Sequence, residues 1–118
     1  MKRIMRLLLL SWMLLCLWTQ PAFAEPASEA LSAADSTTAH LFEIHCAGCH
    51  PNGGNIIRRG KTLKQKALQR NKVDSVETIS TLIANGKGIM SAFRDRISEA
   101  EITALAQYVL DQAEHNWQ

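Results

Sequence analysis

An all-α domain of about four helices is what this 118-residue chain predicts. Three observations lead there. Two stretches open on capping-box patterns and continue with apolar residues at helical spacing. No segment shows the strict alternation of a half-buried strand. The helical stretches are separated by long Gly- and Asn-rich loops, which a compact domain of this size tolerates when they wrap around something.

The first residues stand outside that domain. Lys2, Arg3 and Arg6 form a positive head, residues 7–18 are almost unbroken apolar chain, and Ala22-Phe23-Ala24 places small residues where a signal peptidase reads. Residues 1–24 therefore read as a secretory signal peptide cut after Ala24. The apolar run falls short of the roughly 20 residues that cross a bilayer, so no stable membrane anchor is expected. Cys16 follows Leu14 and Leu15 rather than the small residues that precede a lipidated cysteine, and is lost with the signal. Cleavage leaves 94 residues with ten basic and eleven acidic side chains, a net charge of −1 where the full chain has +2. The basic balance of the whole chain is thus a targeting feature and supports no nucleic-acid partner.

Each element of the domain has its own signal. Residues 25–35 are rich in Ala, Ser and Glu and read as a flexible leader, leaving residues 36–118 as the folded domain. Asp35 and Ser36 offer N-caps, and a helix from Thr38 carries Leu41, Phe42 and His45 toward Cys46. Pro51, Gly53-Gly54 and the flanking asparagines make residues 51–60 a loop, with Ile56 and Ile57 set in it to contact something. Residues 64–69 allow a short helix. Asp74-Ser75-Val76-Glu77 caps a third, with Val76, Ile79 and Ile83 on one face, and Asn85-Gly86 stops it. Residues 88–93 are loop again. Ser98-Glu99-Ala100-Glu101 opens the last helix, where Ile102, Leu105, Ala106, Val109 and Leu110 trace one stripe to about Glu114. Phe42, Ile79, Ile83, Leu105 and Tyr108 are the expected core.

The chemistry lies in Cys46-Ala47-Gly48-Cys49-His50. C-x-x-C-H is the attachment pattern of a c-type haem: two thiols add to the haem vinyl groups, and the next histidine is held at the iron. A haem would also give a short chain a large apolar surface to fold around. Iron in an electron carrier takes two strong axial ligands, and methionine opposite histidine raises the reduction potential. With Met1, Met5 and Met13 in the signal, Met90 is the methionine that remains, in a glycine-flanked loop forty residues after His50. A lone methionine is more often a core filler, but its place in a loop favours a ligand. A thioredoxin-like dithiol needs a strand before the motif and a helix starting at it, whereas here a helix leads in and a Pro- and Gly-containing loop leaves. Two thiolates with His45 or His50 could bind zinc, but a closed site needs four ligands, and His40 and His115 complete one poorly. His45 is expected as a surface histidine, and Lys61, Thr62 and Lys64 as neighbours of the haem propionates or a solvated basic loop.

Taken in order, these residues resemble the class I cytochromes c, and among them cytochrome c6 of cyanobacteria and algae. The resemblance runs from about Ala39 to the end: His40-Leu41-Phe42, the C-x-x-C-H motif, Gly53-Gly54-Asn55-Ile56-Ile57, Lys61-Thr62-Leu63, residues 85–93 and residues 108–113. It implies the cytochrome c fold, four helices around one covalent haem c, with thioethers at Cys46 and Cys49 and iron ligands His50 and Met90. It also implies a one-electron carrier, not an enzyme, in the thylakoid lumen or the periplasm. Such a carrier takes electrons from the cytochrome b6f complex and passes them to photosystem I or a terminal oxidase such as cytochrome oxidase. Two positions depart from the family. Met90-Ser91 replaces the usual Met-Pro, which makes the ligand loop looser. Leu82 stands where photosynthetic members carry glutamine, and an apolar residue there marks divergent c6-like subgroups with other potentials and partners.

The first functional expectation is therefore a soluble, monomeric, monohaem carrier that docks transiently on membrane redox complexes. The alternative is a haem-based sensor of small ligands or redox state, in which Met90 leaves the iron.

Overall fold

The computed structural model describes the backbone of residues 26–118 and the side chains from Asp35 onward; the signal peptide read in residues 1–24 lies outside them. The element order is α1 (Pro26–His45), a 3₁₀ turn (Pro51–Gly53), α2 (Gln65–Arg70), α3 (Val76–Asn85) and α4 (Glu99–Glu114). Among the described residues there is no strand, and a single antiparallel bridge joins Lys87 to Met90. The all-α expectation holds. None of the described helices is long and apolar enough to cross a membrane.

Capping explains where α3 and α4 begin. Ser75 is the N-cap of α3: its hydroxyl accepts from Thr78 N at 3.3 Å, and the Thr78 hydroxyl accepts from Ser75 N. The box is thus one residue later than an Asp74–Glu77 pairing would put it. Glu77 instead sits in the first turn, where its own backbone N–H and Ser75 hold its carboxyl below the usual range. Ser98 caps α4, and the Glu101 carboxylate accepts from both Ser98 N and Ser98 Oγ at 2.7 Å. Gly86, with φ 69°, ends α3 and sends its N–H back to Leu82 O.

The first helix differs from the sequence reading. It begins at Pro26 and covers the Ala- and Ser-rich stretch expected as leader, so Asp35 and Ser36 lie inside it. Alanine and glutamate have high helix propensity, and a proline fits the first helical position because its missing N–H would have no partner there. The helix ends at His45 and delivers Cys46 to the next turn, as the sequence indicates.

The core forms where α4 packs on α3 and α1, with lighter contacts to α2 and the 3₁₀ turn. Ile102, Leu105, Ala106 and Val109 are buried along the expected stripe, facing Phe42 of α1 and Ile79 and Ile83 of α3. Leu68, Phe93 and Ile97 complete this core from the loops and α2, without a periodic pattern to announce them. Tyr108 is half-buried and packs its ring 5.5 Å from that of Phe42.

Two outcomes follow for the haem-loaded protein. Leu105 is 1 % exposed, so Leu105→Ala should cost about 2–5 kcal/mol in denaturant unfolding. Ser98→Ala should destabilise at neutral pH, and its difference from the parent should shrink in acid. The carboxyl of Glu101 is held below its usual range chiefly by Ser98. That stabilisation is present above the ordinary carboxylate pKa and is lost as pH falls through the lower, folded value. Unfolding curves of both proteins from neutral to acidic pH check this.

Candidate haem-binding site

The turn after α1 places the two thiols and the imidazole by backbone bonds. Cys46 N and Ala47 N both donate to Phe42 O, at 2.8 and 3.0 Å, and His50 N donates to Cys46 O at 2.9 Å. The motif is therefore wound as a tight turn continuing the helix end. Cys46 is half-buried and Cys49 exposed. Burial, and next the neighbouring Cys49, push the Cys46 thiol up to about 11, so it is held neutral at physiological pH.

His50 is fixed more closely. Its Nδ1 lies 2.9 Å from Gly54 O. A carbonyl only accepts, so Nδ1 carries the proton and Nε2 keeps its lone pair for a metal. The Gly54 carbonyl is held in turn. Gly53 N donates to His50 O at 3.2 Å, Gly54 N to Pro51 O at 2.8 Å, and Leu63 N to Gly53 O at 2.8 Å.

Met90 is built on a separate support. Lys87 N donates to Met90 O at 3.0 Å and Met90 N to Lys87 O at 3.2 Å, closing a four-residue turn. Beyond it Phe93 N donates to Ile83 O at 3.0 Å and Arg94 N to Ala84 O at 3.3 Å. The loop that lacks the usual proline at Ser91 is thus closed on itself at the methionine and tied to the end of α3 beyond it. Gly86 is required here: a Cβ would strike Met90 O, and φ is +69°.

Cys46, Cys49, His50 and Met90 all line one cavity of about 310 Å³. Its walls are mainly apolar, including Phe42, Leu68, Ile79, Leu82, Ile83 and Leu105. The residues fit a covalent haem on four counts. Two thiols flank the space, an imidazole with a free Nε2 and a thioether sulfur reach it, and the lining is greasy enough for a porphyrin. No three His, Cys, Asp or Glu side chains come together as a metal-binding group among the described residues, so the zinc alternative lacks a ligand set.

Other expectations are sorted by the same cavity. Lys61 and Thr62 line it, but Lys64 does not: its Nζ donates to Asn116 O at 2.8 Å. His45 is not a free surface histidine. It is half-buried, lines the cavity, and sets its ring edge-on to Phe93 at 5.8 Å. Leu82 lines the cavity, and so does Ile57, which explains an apolar residue in a polar loop.

Trp117 is the functional neighbour that the sequence reading missed. The tail reverses through positive φ at Asn116 (55°) and Trp117 (62°), and Trp117 N returns to Gln112 O at 2.8 Å. The indole packs 4.9 Å from the Phe42 ring and closes over Gly53, where any Cβ would collide with it. Its Nε1 donates to Leu63 O at 3.1 Å. The tail thereby clamps the segment whose carbonyl orients His50. The clue that could have found it is simple: Trp12 and Trp18 lie in the stretch read as a signal peptide, which leaves Trp117 as the one tryptophan after residue 24.

Trp117→Phe keeps the ring contacts and removes one hydrogen bond, and should cost about 0.5–1.5 kcal/mol. Gly53→Ala should cost more, because it meets both a positive φ and the indole. Denaturant unfolding of the haem-loaded variants, followed by haem absorbance, checks the order.

The chain is similar to several known proteins. The family described as cytochrome C oxidase, cbb3-type, subunit III matches over residues 33–109. A cytochrome c6-like protein of Nostoc sp. strain PCC 7120 is 56 % identical over 77 residues, 65 % of this chain and 69 % of that one. Cytochrome c6 of Synechococcus sp. strain PCC 6312 is 39 % identical over 118 residues, 99 % of this chain and 98 % of the other. Among solved structures, cytochrome c6C of Synechococcus sp. PCC 7002 is 55 % identical with a TM-score of 0.64, covering 66 % of this chain and 95 % of its own.

Proposed function

The chain belongs to the cytochrome c6-like class I cytochromes, electron-transfer proteins with one covalently bound haem c and no enzymatic turnover, and from that premise we propose the roles of its residues and its place in electron transport. Cys46 and Cys49 carry the haem as thioethers. His50 Nε2 and the Met90 sulfur would ligate its iron. The observation that supports this most is the convergence of all four side chains on one apolar cavity.

The bound haem supplies a one-electron couple. The rest is the work of the chain. The Gly54 carbonyl, by accepting from His50 Nδ1, sets the tautomer and makes the imidazole a better donor. The tied loop around Met90 would keep its sulfur in reach of the iron, so that His50 and Met90 together would hold it. The apolar walls exclude water, which limits the reorganisation that each electron transfer demands. Leu82 adds to that dry wall where photosynthetic members carry a polar side chain, and this favours a divergent subgroup of the family.

The carrier is soluble, is exported to the thylakoid lumen or periplasm, and docks briefly as a monomer on membrane redox complexes. Cytochrome b6f as donor and photosystem I or a terminal oxidase as acceptor are the complexes that the family resemblance offers. The backbone bonds at and beyond Met90 favour this reading over a sensor with a departing methionine.

The ferrous parent protein should resist carbon monoxide at neutral pH. Met90→Ala should bind it readily and lose the near-infrared Met–iron band of the ferric form. Ready CO binding by the parent would favour the sensor, and a Met90→Ala spectrum identical to the parent's would remove Met90 from the iron.

A further inference from the structure

Two pairs of residues with left-handed backbone meet beside His50. Asn52 and Gly53 (φ 49° and 69°) lie on the histidine side, and Asn116 and Trp117 (φ 55° and 62°) on the tail. Helix capping accounts for Asn116. Its N–H returns to Ala113 O at 3.3 Å and that of Trp117 to Gln112 O at 2.8 Å. These two bonds close a helix end through a left-handed residue, a place that asparagine tolerates. Nothing in the cap asks the same of Trp117. A positive φ at so bulky a residue is costly and persists only where the surroundings over-determine it.

Those surroundings are the segment that orients His50. Glu114, His115, Asn116 and Gln118 are exposed, and Trp117 alone of the tail turns inward. Its indole packs on Phe42, covers Gly53 and donates from Nε1 to Leu63 O. Lys64 Nζ holds the Asn116 carbonyl at 2.8 Å. Leu63 N donates to Gly53 O at 2.8 Å, and the next carbonyl, Gly54 O, accepts from His50 Nδ1 at 2.9 Å. The N–H groups of Gly53 and Gly54 go to His50 O and Pro51 O, inside the same turn. Restraint from outside the turn therefore comes through Leu63 and the indole.

A haem's potential responds to the hydrogen bond that its axial imidazole makes. A firm acceptor at Nδ1 gives the ring more electron density to share with iron, which favours the ferric state and lowers the potential. We propose that Trp117 is a positioning residue for electron transfer: its clamped tail holds the Gly54 carbonyl against His50 and keeps the reduction potential below the value an untethered turn would give. This rests on haem being bound with His50 at its iron.

Two readouts test it in the haem-loaded parent, Trp117→Phe, Trp117→Ala and Ile102→Ala. One is the midpoint potential, and the other is solvent exchange of the His50 Nδ1 proton, followed by NMR of the ferrous protein. Ile102 is buried, off the cavity lining and at the opposite end of α4 from the tail, so its variant weakens the core without touching the clamp. Trp117→Phe loses one hydrogen bond, so the ring proton should exchange about two- to tenfold faster. Trp117→Ala also loses the ring contacts and should exchange faster still. The potential should rise in the same order, with the phenylalanine variant nearer the parent. Ile102→Ala should unfold more easily at an unchanged potential. A potential that falls in the Trp117 variants would mean that the tail acts by keeping water from the haem, and overturns the proposal. Unchanged potentials and exchange rates overturn it too, as does a shift in Ile102→Ala equal to that in Trp117→Ala. Trp117→Phe keeps the test available if the alanine variant fails to hold haem. Failure of the haem reading itself is seen separately, as a parent protein with no haem absorbance.

Discussion

The hydrogen bond from His50 Nδ1 to Gly54 O is the contact on which the rest of this architecture converges. It is 2.9 Å long and spans only four residues, yet much of the molecule holds its acceptor in place. The 3₁₀ turn over Pro51–Gly53 brings the carbonyl round. The loop at Leu63 returns to bond Gly53, and Trp117 comes back from the end of the chain to close over it. A carbonyl acceptor fixes which nitrogen carries the proton, and hence which one can bind iron. One local bond converts a flexible side chain into an oriented donor, and distant elements supply its rigidity.

Much of this was legible because the physical signals are short-range. The Ser98–Glu101 box and the stripe from Ile102 to Val109 state a helix and its buried face within a dozen residues. C-x-x-C-H encodes its chemistry in five. Asn85-Gly86 announces a positive φ, which Gly86 adopts. What stayed hidden depends on contacts between segments far apart. Trp117 carries no local pattern, and its role exists only because the tail meets Gly53 and Leu63. His45 sits where an exposed helix end would be expected, and only the arrival of Phe93 makes it part of the cavity wall. The start of α1 was misplaced for a different reason. Ser36 and Asp35 are good caps, but an Ala-rich stretch with a proline at its head is a good helix in its own right.

The two departures from the family pattern act on different layers. Ser91 removes a proline from the ligand loop, and the loop's stiffness then rests on backbone bonds from Lys87 to Met90 and from Phe93 and Arg94 to α3. Leu82 changes the wall of the cavity itself. The first bears on how firmly the sulfur is held, the second on the polarity around the iron, and neither touches the thiols or the imidazole.

Intact mass spectrometry of the exported protein, made in a host that attaches c-type haem, tests the central claim most directly. The account requires a mass equal to the processed chain plus one haem, with the colour resisting acid–organic extraction and the added mass mapping to the peptide with Cys46 and Cys49. A chain of unmodified mass, or haem that washes out into the organic phase, would contradict it.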